Sequence, residues 1–204
     1  MKGKFITFEG SEGCGKSTQS KMLYNFLKRK GYGAVYLREP GGTKISEKIR
    51  QILLDAKNDS MSAETELLLY MAARSQVVND VIKPALEKGR IVICDRFLDS
   101  TVAYQGYGLG MSISLIKELG RFATQGISPD LTIILDLPVK DGLRHRHANK
   151  DRIEKRTLGY HARVRGGYLK IAKSQPRRVK IVKVAKIKSS TQETIRKLVL
   201  SVVR

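Results

Sequence analysis

The period of the apolar positions changes several times along the chain, and each change marks an element. Phe5, Ile6 and Phe8 form a short apolar run that ends at Glu9 and reads as a strand. From Lys16 to Lys30 the residues Met22, Leu23, Phe26 and Leu27 fall at helical spacing, and Gly31 ends that helix. A second strand, 34–37, runs into Arg38-Glu39-Pro40-Gly41-Gly42-Thr43. Ile45, Ile49, Ile52 and Leu53 predict a helix over 45–56, and a longer helix rich in Leu, Met, Ala and Val fills 62–88, with Pro84 kinking its last turn. Strands follow at 90–94 and 131–137. Between them, Asp99-Ser100 reads as a helix N-cap that puts Thr101, Tyr104 and Gln105 on one face, and Gly106, Gly108 and Gly110 loosen the chain before a helix at 112–125. A helix at 160–174, a strand at 179–184 and an amphipathic helix at 191–203 complete the pattern.

Strand and helix alternate throughout, which predicts an α/β protein with a parallel sheet of five strands and helices on both faces. The first strand–helix junction carries the chemistry. It reads Gly10-Ser11-Glu12-Gly13-Cys14-Gly15-Lys16-Ser17-Thr18, a phosphate-binding P-loop in its strand–loop–helix context. Glycines at 10, 13 and 15 let backbone N–H groups turn inward around phosphate oxygens, and the helix start adds its positive dipole end. Lys16 supplies a cation for the β- and γ-phosphates, and the Ser17 hydroxyl is placed to hold Mg²⁺. The expected fold is therefore that of the P-loop NTPases.

In such sheets ligands sit beyond the carboxyl ends of the strands. Arg38-Glu39-Pro40 and Asp95-Arg96 follow predicted strands and project to that rim, Asp95 suited to Mg²⁺ or its waters and Arg96 to phosphate oxygens. Arg74 stands inside an apolar helical stretch with Tyr70 four residues before it. That pair reads either as a snorkelling arginine or as an aromatic platform beside a donor that holds a flat base. Asp136 is either a second carboxylate near the nucleotide or a strand-end cap.

Charge changes the picture in the last third. The formal charge is +20, yet residues 1–139 carry 19 Lys/Arg against 15 Asp/Glu and residues 140–204 carry 20 against 4. A basic third fits a nucleic-acid surface, a polyphosphate substrate or a solvated face. Interleaved aromatics for a single-strand groove are missing, so no specific nucleic acid is expected. Arg144, His145, Arg146, His147, Arg152 and Arg156 crowd a segment of low apolar content at about 140–156, which reads as an arginine-rich lid able to close on phosphates. The three histidines lack carboxylate or cysteine company at ligand spacing, so no zinc site is expected. Two cysteines, Cys14 and Cys94, suit a reducing cytoplasm. Length suits one domain over 1–204, the chain enters a strand at once with no room for a leader, and no apolar run is long enough for a membrane span.

Several motifs in order carry a resemblance. Phe8-Glu9-Gly10 into the P-loop, Arg38-Glu39-Pro40-Gly41-Gly42-Thr43, Tyr70-x-x-x-Arg74, Asp95-Arg96-Phe97, Ser100-Thr101-x-x-Tyr104-Gln105-Gly106, Pro129-Asp130-Leu131 and Asp151-Arg152-Ile153-Glu154 resemble the bacterial thymidylate kinases over nearly the whole chain. The resemblance implies phosphoryl transfer from MgATP to dTMP by a cytoplasmic homodimer. It implies that Glu12 contacts the acceptor's 3′-hydroxyl, that Arg38 and Arg96 hold the acceptor phosphate, and that Ser17 and Asp95 serve Mg²⁺. Tyr70 would stack on thymine, Arg74 would donate to its O4, Thr101 would face N3 and Tyr104 would crowd the 2′ position, with Pro40, Ser100 and Gln105 completing the pocket. A cis Glu39–Pro40 peptide is implied as well. The P-loop has no arginine of its own, so the lid would supply a catalytic one, with Arg144, Arg146 and Arg152 as candidates. The rival readings are a kinase for another nucleoside monophosphate and a nucleic-acid-associated P-loop ATPase.

Overall fold

The computed structural model describes residues 3–144 and 151–203. β1 (Lys4–Glu9) leads through α1 (Lys16–Arg29) to β2 (Ala34–Arg38). α2 (Lys44–Leu54) and α3 (Ala63–Val77) precede a π-helical turn at Val78–Ile82 and α4 (Lys83–Glu87), after which β3 (Ile91–Asp95) re-enters the sheet. α5 (Leu98–Thr101), a second π-helical segment at Val102–Gly108 and α6 (Ile113–Ala123) lead to β4 (Leu131–Asp136). α7 (Val139–Arg144), α8 (Leu158–Ser174), β5 (Val179–Lys183) and α9 (Lys188–Val203) follow. The strands form one sheet in the order β2-β3-β1-β4-β5, with every pairing parallel.

Parallel strands are buried on both faces, and the two-residue alternation sorts the core accordingly. Ile6, Phe8, Ile93 and Ile133 point to one face, where they meet Leu23 and Leu27 of α1 and Ile195 and Val199 of α9. Phe5, Val92 and Cys94 point to the other, against Val77, Val78 and Ile82. A third cluster joins α3, α6 and α8 around Tyr104, Ile116, Tyr160 and Val164.

Two local expectations are corrected and a third is refined. The helix over 62–88 runs on from Ala63 to Glu87 but widens to a π-helical turn at Val78–Ile82 ahead of Pro84. Pro84 has no N–H to give back to the preceding turn and its ring crowds a carbonyl there, and the π-helical turn ahead of it absorbs that mismatch. Asp99 does not cap a helix. Phe97 occupies the cap position, while Asp99 accepts a bidentate pair from Arg178 at 2.8 and 3.0 Å. A planar guanidinium outcompetes a backbone N–H for that carboxylate. Gly106 and Gly108 do not loosen the chain, because the segment continues as helix through Gly108. A Cβ on Gly108 would lie 2.6 Å from the Tyr160 ring, so the missing side chain lets α8 pack directly on the π-helical segment. Gly108→Ala is therefore expected to destabilise the fold by about 1–3 kcal/mol through overpacking. A urea-unfolding midpoint equal to that of the parent chain would contradict this packing.

Candidate active site

The strand register builds the site. Phe8 and Arg38 both pair with Asp95, so the carboxyl ends of β1, β2 and β3 stop on one line. Backbone bonds continue across it, Arg96 N–H donating to the Phe8 carbonyl and Glu39 N–H to that of Asp95, each at 2.9 Å. Above this rim lies a cavity of about 820 Å³.

One end of the cavity is the phosphate loop. Gly10, Gly13 and Gly15 have φ of 138°, 71° and 89°, which side chains other than glycine rarely adopt. Glu12 to Thr18 line the cavity. Ser11 lends its carbonyl to Lys16 Nζ at 2.7 Å, which folds the lysine back over the loop. Ser17 Oγ donates to Asp95 Oδ2 at 2.5 Å. These two hard oxygen ligands, brought together from the loop and from β3, suit Mg²⁺. A Cβ on Gly13 would strike the carbonyl oxygen of Gly142, so α7 lies directly on the loop. Gly142 escaped notice in the sequence, where its only signal was a glycine inside a short helix.

The other end is lined by Arg38, Pro40, Tyr70, Arg74, Arg96, Ser100, Thr101, Tyr104 and Gln105. Arg96 sits at φ 74°, a left-handed conformation that costs a non-glycine residue on the order of 1–3 kcal/mol. Its guanidinium donates to Glu12 Oε1 at 2.6 Å, to Tyr104 Oη and Ser100 Oγ at 3.1 Å, and to the Gly10 carbonyl at 3.3 Å. Burial works against ionisation of Glu12, but Arg96, then Lys16 and the Tyr104 hydroxyl, outweigh it and hold the carboxyl down at about 2.

Arg74 is buried rather than snorkelling. Its Nε donates to Glu39 Oε2 at 2.8 Å, Nη1 to Thr101 Oγ1 at 3.0 Å and Nη2 to the Phe97 carbonyl at 3.1 Å. The Glu39–Pro40 peptide is cis. Arg38 lines the cavity while its Nη2 donates to both Glu47 oxygens at 3.2 and 3.3 Å. Arg50 was missed in the sequence, although it faces the cavity from α2 and donates to the Pro40 carbonyl at 3.0 Å. Its one signal was a cation next to the apolar stripe of that helix.

The lid candidates separate. Arg144 is largely exposed and 3.7 Å from Asp141. Arg146 lies outside the described residues. Arg152 does not face the phosphate loop: it is buried, pairs with Glu66 at 2.5 Å and donates to the Leu53 carbonyl at 2.9 Å. Its guanidinium is held there by the ion pair with a buried carboxylate and by the Nε bond to a helix-end carbonyl. Asp136 likewise turns from the nucleotide side to a bidentate pair with Arg165 at 2.7 and 3.0 Å.

Beneath Arg96 lies a carboxylate that sequence reading treated only as a strand end. Glu9 is fully buried and accepts from Phe97 N–H at 2.8 Å, Ser100 Oγ at 2.5 Å and Tyr168 Oη at 2.9 Å. Burial first, and then the Asp99 carboxylate, push its pKa from the usual 4.5 to about 7.

A glycine-rich loop between strand and helix, opening into one cavity with an arginine-lined pocket, defines a P-loop enzyme. Comparison with known proteins narrows the class. The chain belongs to the thymidylate kinase family, whose model matches residues 8–195. Thymidylate kinase of Thermoanaerobacter pseudethanolicus is 49% identical over 179 residues, 87% of this chain and 88% of that protein. Thymidylate kinase of Geotalea uraniireducens is 45% identical over 207 residues, 98% and 97% of the two chains. The crystal structure of thymidylate kinase from Ehrlichia chaffeensis superposes with a TM-score of 0.81 at 34% identity, over 98% of this chain and all of that one.

Glu9 generates a pH dependence. Between about 4.5 and about 7 the folded chain keeps a proton on Glu9 that the unfolded chain has released, so this group lowers stability as pH rises through that window. Glu12 acts in the opposite sense and lower, its contribution being lost only as pH falls from 4.5 towards 2. The difference in Tm between the parent chain and Glu9→Gln is expected to move against the parent from pH 5 to pH 7.5. A difference independent of pH would contradict a carboxyl titrating at this position.

Proposed function

We propose that this chain, acting as a single kinase domain, transfers the γ-phosphoryl group of ATP in line to the 5′-phosphate of dTMP, giving dTDP and ADP. The observation that carries the reading is the shared cavity, with the phosphate loop at one end and the Tyr70–Arg74–Thr101–Tyr104 set at the other. Lys16 and the loop N–H groups hold the donor's phosphates. Arg38 and Arg96 hold the acceptor phosphate and offset repulsion between two polyanions. Catalysis is mainly positioning, since an anionic acceptor phosphate needs little help from a base. Mg²⁺, held through Ser17 and Asp95, would supply charge neutralisation on the transferring group. Arg152 is engaged by Glu66 and the Leu53 carbonyl, so Arg144 and Arg146 are the remaining lid candidates for the catalytic cation.

The pocket chemistry supports selection of thymine. Arg74 is fixed by Glu39, Thr101, Met71 Sδ and the Phe97 carbonyl, which leaves one Nη2 N–H for a carbonyl oxygen such as O4. Tyr70 offers the flat face, and Tyr104, tied to Glu12 at 2.7 Å, closes the sugar side. The homodimer expected from the resemblance is supported by α3 and α6, which pack together and carry exposed Leu68, Leu115 and Phe122. Among the described residues no helix is long and apolar enough to cross a membrane, and the two free, buried cysteines suit a cytoplasmic enzyme.

ADP formation from MgATP with dTMP, UMP, CMP, AMP and GMP as separate acceptors is expected to show strong preference for dTMP. Preference for another base would discard the base pocket and keep the phosphoryl chemistry, whereas activity with none would remove both. Lys16→Ala should cost at least about 100-fold in kcat, on the scale of a lost phosphate cation. Arg74→Ala should act mainly on selection. An Arg74→Ala enzyme that discriminates dTMP from CMP as well as the parent would overturn that assignment.

A further inference from the structure

Glu66 sits on α3 one turn before Tyr70 and has no exposed surface. A buried carboxylate is retained only where donors and counter-charges replace its lost water, and here two hydrogen-bond donors and one further ion pair do. Gln105 Nε2 donates to Oε1 at 2.7 Å, while Arg152 Nη2 and Arg156 Nη2 meet Oε2 at 2.5 and 2.6 Å. These donors come from two separate parts of the cavity wall. Gln105 belongs to the π-helical segment Val102–Gly108, next to Tyr104, at the end assigned to the acceptor. Arg152 and Arg156 belong to the turn at residues 151–156, whose Asp151, Ile153 and Glu154 line the cavity.

The turn keeps its own shape and takes its position from its neighbours. Asp151 Oδ1 accepts the N–H groups of Ile153 and Glu154 at 2.9 and 2.8 Å. Outward, Arg152 donates through its backbone N–H to Leu54 at 3.2 Å and through Nε to Leu53 at 2.9 Å. Arg156 Nη1 donates to Tyr160 Oη at 2.8 Å and its guanidinium lies 4.7 Å from that ring's centre. Tyr160 Oη in turn reaches the Tyr104 carbonyl at 3.4 Å. Both routes from the turn thus end on the two consecutive residues Tyr104 and Gln105.

We propose that Glu66 is a positioning residue that couples the acceptor's base pocket to the 151–156 turn, so that a base bound beside Gln105 tightens the turn against the cavity. This deepens the dTMP reading and rests on it. The two carboxylate oxygens share one rigid plane. A ligand that orders Gln105 also orders Oε1, and Oε2 then holds both guanidiniums with less freedom left to lose. An apolar residue of similar size would fill the space and strand all three donors. Glutamine separates the two arms, because its carbonyl can still accept from Gln105 while its N–H₂ opposes the guanidiniums.

The test is amide hydrogen exchange over residues 151–157, with and without dTMP and with ATP absent, on the parent chain and Glu66→Gln. A calorimetric titration of dTMP accompanies each. In the parent chain dTMP should slow exchange in that stretch about tenfold, and in Glu66→Gln less than about twofold, on the scale of one coupled polar contact. The variant should bind dTMP within about threefold of the parent and show its loss in kcat rather than in the KM for dTMP. Equal dTMP-dependent protection in both chains would overturn the coupling and leave Glu66 a packing residue. Absence of a dTMP binding signal from the parent chain would instead overturn the base-pocket reading, and the coupling with it. Should Glu66→Gln fail to unfold cooperatively, Arg156→Gln decides by the same comparison. Its side chain is only partly buried, and undiminished protection there would also overturn the proposal.

Discussion

Arg96 is the contact on which the arrangement of the site depends. It follows β3, adopts a left-handed backbone, and ties the phosphate loop to the acceptor pocket through the Gly10 carbonyl, Glu12, Ser100 and Tyr104. A strained residue persists only where its surroundings over-determine it. Here they do, because Glu9 below fixes the Phe97 N–H and the Ser100 and Tyr168 hydroxyls on the far side of the same turn. The guanidinium is thereby aimed before any substrate arrives, and little reorganisation is left for the moment of reaction.

The rest of the site repeats this logic at lower cost. Arg74 is directed by Glu39, Arg38 by Glu47, and Lys16 by the Ser11 carbonyl. Each cation that would face a phosphate or a base is held by a carboxylate or carbonyl, and two of those carboxylates, Glu12 and Glu39, line the cavity themselves. Cations so close together would repel one another if unpaired. Pairing holds them close together without leaving buried charge uncompensated.

Much of this was legible in the chain because it is local. The phosphate loop, α1 and the rim residues Arg38 and Asp95 follow from strand–loop–helix order and from the rule that parallel strands present their carboxyl ends to ligands. What escaped notice depends on partners distant in sequence. Glu66 reads as one acidic residue on a helix until Gln105, 39 residues on, and Arg156, 90 residues on, close around it. Arg152 reads as a lid cation by composition, yet the same carboxylate draws it inward. Asp99 followed the local rule for a cap, and the guanidinium of Arg178, just before β5, took it instead. Nothing in the residue types of Gly13 and Gly142 announces that α7 lies on the phosphate loop. Composition misled in the last third, where Arg165, Arg178, Arg152 and Arg156 are spent on internal carboxylates.

On this reading donor and acceptor occupy one continuous cavity joined through Arg96. A bisubstrate ligand, thymidine and adenosine joined through their 5′ positions by a chain of phosphates, tests it most directly in steady-state inhibition. Inhibition competitive against both ATP and dTMP is expected, with one ligand bound per chain. Competition against only one of the two substrates, or two ligands bound per chain, would contradict it.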